Sequence, residues 1–99
     1  MVANHVVAPE AEQDLFQAYG WYEERRSGLG EEFLSSVDAC IQRICRNPEL
    51  YEVVHESYRR ALVRRFPYAV FFEYANEQVT VYCIFHTVRD PEKWQRRLS

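Results

Sequence analysis

The side chains best suited to chemistry lie mostly in the second half of the chain. His86 ends an apolar run. An imidazole titrates near neutrality, so it can act as general acid or base; equally, it can be a half-buried histidine satisfied by a backbone or carboxylate neighbour. Arg59 and Arg60 are adjacent in a strand-like stretch, so they point to opposite faces and at most one lines a given surface. Arg64 and Arg65 precede Pro67 and suit either target binding or the guarding of a sheet edge by exposed charge. Arg89 has a carboxylate next to it in Asp90. Trp94 reads as a packing anchor for the C-terminal segment, with base stacking as the alternative. His5, His55 and His86 are scattered without metal-ligand spacing. Cys40, Cys45 and Cys83 are odd in number, form no CxxC pair, and read as buried reduced thiols of a cytosolic protein. No metal or cofactor is expected.

These groups must be held by one small domain. The chain has 99 residues, 47% hydrophobic and 15% aromatic. A domain of this size buries only about two-thirds of its unfolded surface, so uncovered apolar area is costly and a partner is one way to cover it. The first eight residues have neither a basic segment nor an apolar segment of a signal peptide, and no apolar run reaches membrane-spanning length. A cytoplasmic location without membrane contact is expected. The formal charge of −3 is uneven. Residues 1–42 hold two bases against eight acids, a balance of −6, whereas residues 43–99 hold ten bases and seven acids, a balance of +3. Such asymmetry points weakly to an acidic partner for the second half.

Periodicity places the elements. Asn4 to Val7 reads as a short strand. Pro9 suits a first helical position, and Glu10, Glu12 and Asp14 sit where the helix dipole favours negative charge. Ala8, Ala11, Leu15, Ala18, Tyr19 and Tyr22 keep helical spacing until Ser27-Gly28-Leu29-Gly30 breaks it. A second helix from about Glu31 carries Phe33, Val37, Ile41 and Ile44 and ends at Asn47-Pro48. Two helices of roughly 15–17 residues joined by a short turn imply an antiparallel hairpin. Tyr58–Val63, Tyr68–Tyr74 and Val79–Val88 read as strands, with a turn at residues 75–78 and residues 47–57 as a loop. Asp90 caps a short C-terminal helix that carries Trp94 and Leu98. The expected fold is α+β, in the order β-α-α-β-β-β with a helical tail, the hairpin lying on an antiparallel sheet. Leu15, Tyr19, Phe33, Val37, Ile41 and Ile44 are expected in its core.

The last strand is apolar on both sides. Strict alternation puts Val79, Val81, Cys83 and Phe85 on one face and Tyr82, Ile84 and Val88 on the other. The helical hairpin covers one face. Either a partner chain, or the tail and the 47–57 loop, must cover the other.

The element order and several strings resemble the RelE/ParE toxin superfamily. They are APEAEQDL in the first helix, WYEERRSGLGEEF across the hairpin and NPELY after it, SYRRALVRRFPYAVFFEY in the middle strands, and HTVRDPEKW at the end. The resemblance spans about residues 8–94 and implies a toxin neutralised by a cognate antitoxin, in a toxin–antitoxin hetero-oligomer, with plasmid stabilization among the family's roles. Its two branches differ in target. RelE-like members cleave mRNA on the ribosome; ParE-like members inhibit DNA gyrase and do no known bond chemistry.

Cleavage of the RelE kind needs a base, a leaving-group acid and cations on the phosphate. The resemblance lays the branch's two strand lysines on Arg59 and Ala61, its strand arginine on Tyr68, its later arginine on Arg89 and its tyrosine near Trp94. Two cationic positions are thereby lost. Other ribonuclease members use an acid, an arginine and a histidine, roles that Glu56, Arg60 or Arg65, and His86 could fill, with Arg89 beside them. A histidine at this strand position also occurs in ParE-like members. The long helical hairpin and the net charge of −3 favour the ParE branch, because docking into ribosomal RNA calls for strong basic charge. Arg59, Arg60, Arg65, Arg89 and Trp94 are the candidates for contact with target or antitoxin. A non-toxic, antitoxin-binding member is the third reading.

Overall fold

A computed structural model describes residues 2–89 and 92–98. Strand β1 (Asn4–Val7) leads into helix α1 (Pro9–Arg25) and helix α2 (Leu29–Arg46). A single 3₁₀ turn (Pro48–Leu50) precedes β2 (Glu52–His55), β3 (Tyr58–Leu62), β4 (Tyr68–Ala75) and β5 (Gln78–His86), and α3 (Lys93–Leu98) closes the chain. The fold is the expected α+β arrangement. Among the described residues no helix is long and apolar enough to cross a membrane.

The hairpin turn is set by two glycines and one carboxylate. Gly28 holds a left-handed backbone at φ 90°, which glycine adopts without steric cost. Glu23, in the last turn of α1, accepts the N–H groups of Gly28 and Gly30, each at 2.9 Å. An acid of one helix thus caps the N-terminus of the next, where donors are otherwise orphaned and the dipole favours negative charge. Gly30 packs so tightly that a Cβ there would lie 2.7 Å from the Tyr19 ring.

The strands form one sheet in the order β1-β5-β4-β3-β2. β2 to β5 pair antiparallel, and β1 joins β5 in parallel. The helices α1 and α2 cover one face. Phe33, Val37 and Ile44 from α2 meet Val70, Phe72 and Val81 there, all nearly inaccessible. The shorter α3 covers the other face, over Ala69, Phe71, Cys83 and Phe85.

Three expectations are corrected. Residues 47–57 are not all loop: Glu52–His55 is an edge strand on β3, and its Val54 packs into the α3-side core. The two-sided apolar strand is real, but its faces are divided differently. Phe71 pairs with Cys83 while Phe72 pairs with Val81, so Tyr82 is an extra residue. Such a bulge sets two residues against one and flips the alternation beyond it. Val79, Val81 and Ile84 therefore share the helix-side core, and Cys83 and Phe85 the α3-side core. Lastly, Phe33, Val37, Ile41 and Ile44 are buried as expected, but Leu15 and Tyr19 are only half-buried. The buried stripe of α1 is Ala11, Asp14, Ala18 and Tyr22. Asp14 is therefore no exposed first-turn acid. The Asp90 cap lies outside the described residues.

Asp14 has a definite task. β1 stops at Val7, opposite Val81, so β5 runs on without a neighbouring strand on that side. The Ile84 N–H donates to Asp14 Oδ2 at 3.1 Å, and Arg97 of α3 donates to both carboxylate oxygens at 3.1–3.2 Å. One carboxylate ties α1, β5 and α3 together. Asp14→Ala is expected to lower the unfolding free energy by about 2–3 kcal/mol, because it strands a buried N–H and breaks a largely buried ion pair. Asp14→Asn, which keeps an acceptor for Ile84, is expected to cost less; urea melts of the two variants check the order. Gly30→Ala should cost about 1–3 kcal/mol in the same assay, since the added Cβ would lie 2.7–2.8 Å from the Tyr19 ring and from the Glu23 carboxylate that caps the turn.

Candidate functional site

The uncovered end of β5 is where the polar groups gather. Tyr68, first residue of β4, pairs with His86, last residue of β5. α1 passes across this end of the sheet, and between them lies a cleft of about 290 Å³ lined by Ala18, Trp21, Tyr68, His86, Arg89 and Lys93 among others. Asp14 forms part of its floor and is already engaged by Ile84 and Arg97.

His86 is held in one orientation. Its Nδ1 accepts the backbone N–H of Val88 at 3.1 Å and of Arg89 at 3.0 Å. The turn that ends β5 therefore fixes the tautomer, leaving the proton of the neutral ring on Nε2. Burial, and secondarily the Arg89 guanidinium, push its pKa below the ordinary histidine value. Arg89 donates to the Tyr68 hydroxyl at 2.8 Å and lies 5.0 Å from the Trp21 ring. Arg25 sits over the same ring at 3.5 Å. The Tyr68 and His86 rings meet edge to face at 5.3 Å.

The remaining candidates are dispersed. Arg60 lines a smaller hollow of about 90 Å³ on the α3 side, with His86 and Trp94, and pairs with Glu52 at 3.4 Å. Trp94 stacks on Phe71 at 4.9 Å. Arg59, on the opposite face from Arg60, donates to the carbonyls of Tyr51 and Glu49 at 2.7 and 3.2 Å and so braces the segment before β2. Arg65 adopts a left-handed φ of 73° and binds Glu32 of α2 at 2.7 Å, a carboxylate shared with Arg26. The Arg65 hydrogen bond chiefly holds the Glu32 carboxyl below its ordinary range. Glu56 sits in the turn between β2 and β3, at the far end of the sheet: Tyr58, two residues on, aligns through Glu73 with Thr80. About 15 Å or more of strand separates that level from His86. The structure thus brings His86 together with Arg89 on one side and Arg60 on the other, and leaves Glu56 and Arg65 apart.

Sequence reasoning missed Asp14, Trp21, Lys93 and Arg97. A lone acid at helical spacing between Ala11 and Ala18 was the available signal for Asp14. The cysteines stay out of the cleft's chemistry. All three are buried and free, and burial pushes the Cys83 thiol up to about 12. Among the described residues no three His, Cys, Asp or Glu side chains gather to hold a metal.

The depressed pKa of His86 has a signed consequence. The unfolded chain takes up a proton at this ring at higher pH than the folded one, so its contribution to stability is present above the ordinary histidine value and lost as pH falls through the folded one. NMR titration of the ring should place its midpoint below the ordinary histidine value, and Arg89→Ala should move it upward. A midpoint that ignores Arg89 would contradict the assigned geometry.

The family described as "ParE toxin of type II toxin-antitoxin system, parDE" matches residues 6–91. A chain of the chromosomal ParDE system from P. aeruginosa superposes with a TM-score of 0.72 at 13% identity, over 86% of this chain and 96% of that one. A chain of the toxin–antitoxin complex RelBE2 from Mycobacterium tuberculosis gives 0.62 at 13% identity, over 87% and 99%. At such identities these likenesses concern the fold. No curated protein sequence matches the chain significantly. The family match, however, takes in both helices, β2 to β5 and the cleft residues from Asp14 to Arg89, and the chain belongs to the ParE toxin family of type II toxin–antitoxin systems.

Proposed function

We propose that this protein is a ParE-like toxin that inhibits DNA gyrase by binding it and is neutralised by a cognate antitoxin, both acting in the cytoplasm. The observation that carries this reading over a ribonuclease is the fate of the positions where RelE-like chemistry would need cations. Ala61 is 3% exposed and packs into the helix-side core. Tyr68 is 6% exposed, with its hydroxyl held by Arg89. Arg59 is occupied by two backbone carbonyls. A phosphate held for cleavage needs several preorganised positive donors at one point, and each one missing typically costs on the order of a hundredfold or more in rate. The alternative acid–arginine–histidine set is supported no better: Arg60 shares a hollow with His86, but the acid, Glu56, sits at the far end of the sheet, and Arg65 is bound to Glu32. A surface that acts by binding needs no such convergence.

The antitoxin has apolar surface to cover. Phe16 on α1, Leu62 at the end of β3 and Val88 beyond β5 are all more than 60% exposed. Large apolar side chains left outside a small core are what a partner helix or extended segment buries.

The test is direct. Cells expressing the chain should accumulate gyrase-dependent DNA breaks while their messages stay intact, and co-expression of the neighbouring gene's product should restore growth. Codon-spaced cuts on programmed ribosomes, read by primer extension and abolished by His86→Ala or Arg65→Ala, would replace this reading with the ribonuclease one.

A further inference from the structure

Among the described residues, the cleft at the end of β5 gathers hydrogen-bond donors whose carboxylate neighbour is already engaged. Tyr68 is nearly buried; its hydroxyl accepts from Arg89, and among the described residues its own proton has no acceptor. His86 spends Nδ1 on two backbone N–H groups, so Nε2–H remains to donate. Arg89 and Lys93 meet no carboxylate among the described residues; they rest near the Trp21 and Phe85 rings, at 5.0 and 5.1 Å. Among the described residues that line the cleft the one acid is Asp14, which already takes Arg97 in both oxygens and Ile84 in one, so it neutralises neither cation. Two positive charges and two neutral donors facing one space of about 290 Å³ describe a site for a single anion.

We propose that this cleft is a carboxylate-binding site that takes one Asp or Glu side chain of the antitoxin. Arg89 anchors the carboxylate, and Tyr68, His86 Nε2 and Lys93 complete its shell. This rests on the reading that an antitoxin is the partner. Phosphate fits the observations less well. Backbone N–H nests and helix N-termini are the usual phosphate cradles, and here the middle of α1 and a strand edge form the walls. The whole chain carries −3, which disfavours a polyanion. A stacked nucleobase fits poorly too, because Trp21 already carries Arg25 at 3.5 Å.

The experiment has two arms, both with the full chain. In the first, the His86 ring and Trp21 indole resonances are followed by NMR while glutarate or inorganic phosphate is added at constant ionic strength. Glutarate should give a saturable shift, raise the His86 titration midpoint, and lose both effects in Arg89→Gln. Tighter binding of phosphate than of glutarate, or no saturable response to either, overturns the proposal. In the second arm, affinity for the neighbouring gene's product is measured. Arg89→Gln should weaken it about 10–100-fold, the loss of one charge-assisted pair, with thermal stability checked alongside, and Arg46→Gln on the far end of α2 should leave it unchanged. Unaltered affinity in Arg89→Gln overturns the proposal. If the wild-type chain does not bind that product at all, the antitoxin reading fails, and the cleft stands or falls on the glutarate titration.

Discussion

Everything at the working end of this molecule depends on a mismatch of strand lengths. β1 has four residues and β5 has nine, so more than half of β5 has no partner on that side. A bare strand edge in the interior would leave backbone groups unpaired, which is costly. Asp14 is the answer to that constraint. Its carboxylate stands in for the missing strand at Ile84, and its remaining capacity is used by Arg97. Because the substitute is a side chain rather than a strand, the space beside β5 is not filled. The cleft is the volume that a longer β1 would have occupied.

The bulge at Tyr82 works with the same constraint. Up to Val81 the strand follows β1, and beyond it the strand follows Asp14 and α3. The extra residue changes which side chains face the helices at the point where the covering element changes. Ile84 stays under α1, while Cys83 and Phe85 turn to the α3 side, where Phe71 and Trp94 stack. Without that flip Cys83 and Phe85 would compete with Val79 and Val81 for the space beneath α1 and α2, and α3 would have little to cover.

Local signals were legible and non-local ones were not. Helix α2 could be read to within two residues, because its apolar stripe repeats without a charged interruption. β3, β4 and β5 could be read nearly as well, from β-branched and aromatic runs punctuated by Pro67 and by the turn at Asn76-Glu77. β2 escaped because four edge residues, Glu-Val-Val-His, carry no clear alternation. The bulge escaped because every residue of VTVYCIFH suits a strand on either face. In the site, His86 and Arg89 could be named from residue type and position. Asp14 and Arg97 could not, since 83 residues separate them and only the folded chain brings them within 3.2 Å. Charge near a helix start looks alike whether it meets solvent or a buried arginine.

The state of His86 separates binding from catalysis at this cleft. A general base needs a free lone pair aimed at the proton it removes. Here the lone pair of Nδ1 is shared by two backbone N–H groups, and the other ring nitrogen carries the proton. To act as a base the ring would have to give up both bonds, which also hold the turn between β5 and the residues leading to α3. To act as an acid it would have to be charged, and burial together with Arg89 works against that form. What the ring does well at neutral pH is donate one fixed hydrogen bond from Nε2. Tyr68 is in a similar position, its oxygen taken by Arg89 and its proton free to donate. A set of groups held as donors, with the nearby acid already paired, matches the proposed recognition of a carboxylate better than the movement of protons.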